Sequence, residues 1–375
     1  MSLQIAGMGW VTPLGRGIEA VWRRLLAGEE ACAQPISSGP GEREYMIFRV
    51  PNAALKDLLP HPRLRRASAI SRFAAAAALD ALEEAKTAIG QIDMARTAVV
   101  FAVSNGGVAY TKRFYHDVAE SGAQSASPLL FPETVFNAPA SHLTAILGIV
   151  GASYTLVGDG AVGILAMKMA EDLMMSEALD YCVIVGAEEA DWLLCDAYHK
   201  WRLLKTRPPV EPFHQPPRGM ILTEGAGALV LAREGAIAVD TIHAGTNFSR
   251  QKGAGNSIAD VLRGLGAQHT EVLISSANGT FVDQAEHAAA EREMPEAVIY
   301  SPKPALGESV GASAIWQIIV GAQSLGSKKL APFLHVDPKV EGHFSRDLPM
   351  DISANTAIVL NCGLNQQVAG LKLSI

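Results

Sequence analysis

A chain of 375 residues that is 49% hydrophobic and only 18% charged has enough apolar side chain to bury a large core, which excludes an intrinsically disordered protein. Its formal net charge of −7 excludes a dedicated nucleic-acid binder, whose footprint would be basic. The four cysteines (Cys32, Cys182, Cys195, Cys362) stand apart with no CxxC pair, and the ten histidines show no HExxH-like spacing, so neither a disulfide framework nor a metal or other cofactor is expected. No leader-like start and no apolar run of about 18 residues is present, which makes a reducing cytoplasm the expected location and a membrane span unexpected.

In chain order, residues 3–15 read as a short apolar strand broken by glycines and a proline, and a helical stretch follows from about 18 to 27. Residues 70–85 are Ala-rich with Phe73, Ala77 and Leu79 clustered, which predicts a buried helix. The run 97–103 is continuously apolar and stops at Asn105-Gly106-Gly107, as a buried strand does. The alternation then repeats: a strand over 153–157, a helix over 161–175, and strands over 181–185 and 226–232. Such alternation predicts an α/β protein with a mixed sheet covered by helices. Residues 97–106 can be laid over 270–279, which suggests an internal duplication, although two buried strands ending in a turn would look alike without one. No Pro/Gly/Ser-rich linker separates the halves, so they should pack as one body.

Gly158-Asp159-Gly160-Ala161-Val162-Gly163 spells GxGxxG between a predicted strand and helix. A helix N-terminus there could hold a pyrophosphate, which makes a dinucleotide-binding oxidoreductase one reading. Against it, the strand over 181–185 offers no acidic residue for a ribose before Glu188.

A different comparison explains more of the chain. The segment Tyr154-Thr155-Leu156-Val157-Gly158-Asp159-Gly160, continuing to Gly186-Ala187-Glu188, resembles the nucleophile segment of β-ketoacyl-acyl-carrier-protein synthases. Residues 7–15, Phe131-Pro132-Glu133-Thr134, Glu211-Pro212-Phe213, Arg218-Gly219 and Glu224-Gly225-Ala226-Gly227 follow that family's signatures in the same order, with Thr223 in place of a glycine. The resemblance implies a thiolase-like α/β fold. Its two duplicated βαβαβαββ halves, residues 1–235 (with capping insertions) and 236–375, would stack as α-β-α-β-α layers.

The resemblance also implies where catalysis should reside, and there the chain departs. The family uses a cysteine thiolate at a helix N-terminus to accept the acyl group, two histidines to stabilise an enolate, and a lysine to order the site. The cysteine position falls on Gly160, which has no side chain. The first histidine falls on Asn278 in Asn278-Gly279-Thr280, whose amide can donate a hydrogen bond but carries no proton or positive charge. The second falls on Glu308, while the lysine is kept as Lys303. A carboxylate facing an enolate at about 4 Å would cost about 4 kcal/mol at an effective dielectric near 20, so mutual neutralisation of Lys303 and Glu308 is the favoured expectation. The C-terminal loop Asn361-Cys362-Gly363-Leu364-Asn365-Gln366-Gln367 lacks the family's aromatic gate and most of its glycines. Asp159 is expected to cap the helix beginning near Gly160.

Degenerate members of the family, the chain-length factors, pair with an active ketosynthase and shape its acyl pocket. By that resemblance the chain is expected to be a non-catalytic subunit, with an active ketosynthase or a second copy of itself as partner. Leu130, Phe131, Thr134 and Phe136 would lie at the interface and acyl pocket. Acyl carrier protein, being acidic, would meet Arg63, Arg65 and Arg66 and the stretch holding Lys200, Arg202, Lys205 and Arg207. The alternative enzyme would use Lys303, Glu308 or Cys362 in altered acyl-thioester chemistry.

Overall fold

Most of the apolar runs fold as strands buried along their length, whereas Ser153–Val157 and much of Ile237–Asn247 are half-buried or exposed. β1 (Leu3–Thr12), β2 (Thr97–Val103), β3 (Ser153–Val157), β4 (Tyr181–Glu188) and β5 (Gly225–Ala232) come from the first part of the chain. β6 (Ile237–Asn247), β7 (Val272–Ile274), β8 (Val298–Tyr300), β9 (Thr356–Cys362) and β10 (Gln367–Ser374) come from the remainder. The structure is a computed structural model that describes residues 3–58, 60–175 and 178–375. It joins these strands in the order β3-β2-β4-β5-β1-β6-β10-β9-β7-β8.

Both sets of five have the same internal order and directions. In the first, β1–β5 and β5–β4 are antiparallel while β4–β2 and β2–β3 are parallel. In the second, β6–β10 and β10–β9 are antiparallel while β9–β7 and β7–β8 are parallel. The sets meet where Leu3–Ile5 pairs with Ile237–Val239. The similar segments 97–106 and 270–279 therefore fall on β2 and β7, the second strand of each set.

The helices are α1 (Ile18–Leu26), α2 (Ala69–Ile89), α3 (Val108–Ser121), α4 (Ala138–Leu147), α5 (Val162–Met174), α6 (Trp192–Lys200), α7 (Ala254–Gly264), α8 (Phe281–Glu293), α9 (Lys303–Leu306) and α10 (Ser313–Ser327). α5 and α10 touch strands of both sets and so lie between them, while α2 and α4 cover the first set from outside and α7, backed by α8, covers the second. The expected five-layer α-β-α-β-α arrangement results. In the second set α9 and α10 together occupy the third helical crossover; in the first, α1 with α2 and α3 with α4 occupy the first two, and α6 and a long loop are inserted between β4 and β5.

Small residues set these spacings. A Cβ on Gly9 would overlap the Ala77 carbonyl oxygen, so the Ala-rich face of α2 lies almost on the β1 backbone. A Cβ on Gly163 would stand 2.8 Å from Ala314 Cβ, which explains how α5 and α10 fit together in one layer. Among the described residues no helix is long and apolar enough to cross a membrane.

Candidate functional site

Loops that follow the carboxyl ends of β3, β7, β8 and β9 converge on one buried centre, the usual place for a site in an α/β sheet. Lys303 opens the short helix α9, and Glu308 follows its last turn. Their side chains, each only 3% exposed, form an ion pair with Nζ and Oε2 2.7 Å apart. Glu308 is held on every side: Oε2 also accepts from Asn278 Nδ2 at 2.8 Å, and Oε1 accepts from Val310 N at 3.0 Å and Ser313 Oγ at 2.6 Å. Burial pushes the Glu308 carboxyl up, but the Lys303 ammonium and the bonds from Lys303, Ser313 and Asn278 outweigh it and hold the carboxyl below its ordinary value. The structure thus brings together three of the expected positions, Asn278, Lys303 and Glu308, as a mutually satisfied cluster.

Its surroundings are equally self-contained. Asn278 Oδ1 accepts from the Thr280 hydroxyl at 2.7 Å, so the amide has a partner at both ends. Asp283, wholly buried, accepts from the backbone N–H groups of Phe213, Asn278 and Gly279 at 2.8–2.9 Å; desolvation pushes it up to about 6. Glu286 accepts from the Ser276 N–H and hydroxyl, and burial pushes it up to about 7. These carboxylates fix the Ser276–Thr280 turn.

At the position expected for the nucleophile, Gly160, the glycine is crowded. A Cβ on Gly160 would stand 2.8 Å from Asn361 Oδ1 and 3.6 Å from Gly363 Cα. Asn361 is held by Nδ2 donating to Gln317 Oε1 at 2.6 Å. The role of Asp159 needs correction. Helix α5 begins at Val162 without a side-chain cap, and Asp159 reaches across to the C-terminal loop instead. Its Oδ2 accepts from Asn365 N at 2.7 Å, and Oδ1 has only a longer contact of 3.4 Å from Ala161 N.

Cys362 is 2% exposed, and burial, reinforced by Glu286 and Asp159, pushes its thiol well above the ordinary range. Cys182 and Cys195 are buried and pushed up to about 12, also by desolvation. Such thiols are poor nucleophiles. The glycines of 158–163 serve protein packing: Gly158 meets Val162, Gly160 meets Asn361, and Gly163 meets Ala314 and Ile315 of α10. In front of that turn lies a cavity of about 610 Å³, lined by Asp159, Tyr198, Trp201, Leu203, Leu364 and Asn365 among others. A carboxylate facing the turn repels a pyrophosphate, so the dinucleotide reading has no support here.

Elsewhere, Phe131 and Phe136 are 56% and 45% exposed, with Leu130 and Thr134 half-buried beside them. They lie in the segment between α3 and α4, where the Phe131 ring meets Phe114 of α3; β3, at one end of the strand order, has Tyr154 and Val157 exposed as well. Arg63, Arg65, Arg66, Arg202 and Arg207 are exposed. Lys200, largely exposed, pairs with Asp196 at 2.7 Å, whereas Lys205 is tied to Glu211 and to the Pro209 carbonyl and so presents no free charge. The sequence reading missed Ser313, Gln317 and Asn361, which complete the buried cluster; only the nearness of Asn361 to the former gate loop hinted at one of them.

Residues 2–236 match the family model described as beta-ketoacyl synthase, N-terminal domain. The chain is 24% identical over 370 residues to 3-oxoacyl-[acyl-carrier-protein] synthase 2 of Vibrio cholerae, covering 90% of this chain and 89% of that protein. Among solved structures it superposes on the ishigamide ketosynthase/chain length factor with a TM-score of 0.86 at 20% identity, covering 100% of this chain and 98% of that one. A ketosynthase in complex with its chain length factor from Xenorhabdus doucetiae gives 0.82 at 18% identity, with coverage of 100% and 98%. With the repeated strand order, the layered helices and a family match over more than half its length, this chain belongs to the β-ketoacyl synthase family and has its thiolase-like fold.

Proposed function

We propose that the chain is a non-catalytic, chain-length-factor-like subunit that pairs with an active β-ketoacyl-acyl-carrier-protein synthase during fatty-acid, polyketide or polyene chain elongation. The observation that carries this reading is the cluster at Gly160, Asn278, Lys303 and Glu308. The nucleophile position has no side chain and no room for one without moving Asn361, and the two histidine positions hold an amide and a carboxylate locked onto Lys303. A site whose charges neutralise one another offers nothing to stabilise a developing enolate.

The edge strand β3, with Tyr154 and Val157 exposed, together with the exposed Phe131 and Phe136 and the half-buried Leu130 and Thr134, supports pairing with a ketosynthase subunit or a second copy. The exposed Arg63, Arg65, Arg66 and Arg207 would meet an acidic acyl carrier protein, with the neutralised Lys205 left out. The halves divide at residues 235 and 236, in the turn between β5 and β6. The free cysteines suit a reducing cytoplasm.

Co-expression with intact ketosynthases of the same host, tagged pull-down and an elongation assay test the reading. A stable one-to-one complex, active only with both chains present and indifferent to Glu308→Ala, is the expected result. A homodimer that binds no ketosynthase, turns over acyl thioesters and loses that activity on Lys303→Ala or Cys362→Ala would overturn it in favour of altered chemistry.

A further inference from the structure

Three contacts close the C-terminal loop over the former nucleophile position. The wholly buried Asn361 carboxamide aims Oδ1 at Gly160, and among the described residues that oxygen has no donor. Its orientation is set, because Nδ2 donates to Gln317 Oε1 while Gln317 Nε2 donates to the Ser275 and Leu360 carbonyls at 2.8 and 2.9 Å. The Asp159 carboxylate accepts the Asn365 N–H at 2.7 Å. Gly363 passes so close to that carboxylate that a Cβ on it would overlap both oxygens, and Gly363 N closes the loop on Gln367 O at 2.7 Å.

This loop stands between packed interior and a cavity. Beneath it lie the Cys362 thiol and the Lys303–Glu308 pair, all nearly inaccessible. Outside it lies the cavity of about 610 Å³, with Asp159, Leu364 and Asn365 in its wall. Among the described residues that wall includes none of Asn278, Lys303, Glu308 or Asn361.

We propose that Asp159 and Asn361 are positioning residues that seal this subunit's own acyl entrance. Asp159 ties residues 363–365 across the floor of the outer cavity, and Asn361 stands where a nucleophile's side chain would be. An acyl thioester is therefore admitted no further than the outer cavity, and acylation in a complex is confined to the partner's site. The assignment rests on the non-catalytic reading for its purpose, but the closure itself can be tested without any partner.

The cysteines are built-in reporters: Cys32 is exposed, and Cys182, Cys195 and Cys362 are buried in different places. Site-resolved alkylation of the full chain with iodoacetamide should modify Cys32 quickly and leave the other three protected. Asp159→Ala should raise Cys362 alkylation at least about tenfold, the factor that loss of a charge-assisted hydrogen bond carries, with Cys182 and Cys195 still protected. Gly363→Ala should do the same by overlap, and Asp159→Asn, which keeps one acceptor oxygen for Asn365, should restore part of the protection. Cys362 reacting like Cys32 in the unaltered chain would overturn the proposal, as would unchanged Cys362 protection in both Asp159→Ala and Gly363→Ala. Equal exposure of all three buried thiols would overturn it too, since the contact would then hold the whole fold rather than a local seal. None of these measurements uses a ketosynthase, so the seal can fail while the partner-subunit reading stands, and the reverse.

Discussion

Removing Lys303 should strand a buried charge, and the structure sets the scale of the effect. Lys303 Nζ and Glu308 Oε2 are 2.7 Å apart with both side chains 3% exposed. Two unit charges at that separation attract by about 6 kcal/mol at an effective dielectric near 20. Lys303→Met leaves the carboxylate its bonds from Asn278, Val310 and Ser313, so the net loss should be about 3–5 kcal/mol, the usual cost of breaking one side of a buried pair. Adding Glu308→Gln removes the stranded charge, and the double variant should be more stable than Lys303→Met despite carrying one more change. The pH dependence should reverse as well. In the native chain the depressed Glu308 carboxyl contributes stability above its unfolded value near 4.5, lost as the pH falls through the lower folded value. Without Lys303 the buried carboxyl is raised instead, so the penalty of Lys303→Met should shrink as the pH drops toward 4.5. Urea unfolding of the native chain, each single variant and the double variant at several pH values measures both effects. A Lys303→Met cost below about 1 kcal/mol, or a double variant no better than that single one, would refute the neutralised-pair account.

Gly9→Ala should destabilise by about 1–3 kcal/mol because its methyl overlaps the Ala77 carbonyl and drives α2 off β1, whereas Gly39→Ala, with nothing within 4 Å, should stay within about 0.5 kcal/mol; thermal unfolding separates them. Phe131→Asp combined with Tyr154→Lys, both at exposed positions, should abolish the dimer or complex peak in size-exclusion with light scattering and leave the unfolding midpoint of the isolated chain nearly unchanged. Burial pushes Glu188 up to about 8 against an unfolded value of 4.5, so the folded chain holds a proton that the unfolded chain releases. Stability should fall by up to about 1.4 kcal/mol per pH unit between those values and level off above them, and Glu188→Gln should flatten that slope in pH-dependent unfolding.

Elements whose signal is local were legible in the sequence. The strands over 97–103 and 153–157 fall as predicted, the first as a continuous apolar run and the second closed by Gly158, and the helix over 161–175 is shorter by one residue at each end. The strand over 181–185 runs on to Glu188, whose carboxylate accepts from the Ser104 and Asn105 N–H groups, a contact between distant segments with no local signature. The same limit governs the site. Lys303 and Glu308 lie five residues apart across a tight turn, and their pairing was foreseen; Asn361 meets Gly160 only because β9 and α5 are brought together by the layering of the two sheets. Asp159 was misjudged for this reason. Position before a helix suggests capping, but the loop from 363 to 365 offers a better-placed N–H, and the carboxylate takes it.

The replacements at the centre have a common physical direction. A ketosynthase centre keeps donors and a cation unsatisfied so that substrate can use them. Left that way without chemistry, a buried Lys303 would be a standing cost, since an uncompensated charge in the interior destabilises by several kcal/mol. Here Glu308 supplies the countercharge, Ser313 and Val310 fill its second oxygen, and Asn278 links the pair to Thr280. The centre has become core. Among the described residues β3, by contrast, pairs with β2 alone and exposes Tyr154 and Val157, and such an edge is a liability on an isolated chain. A centre whose charges satisfy one another beside an edge left open is what the proposed partner-subunit reading expects, with the edge covered by another chain. The Phe131→Asp and Tyr154→Lys substitutions therefore test function more directly than any change at Gly160.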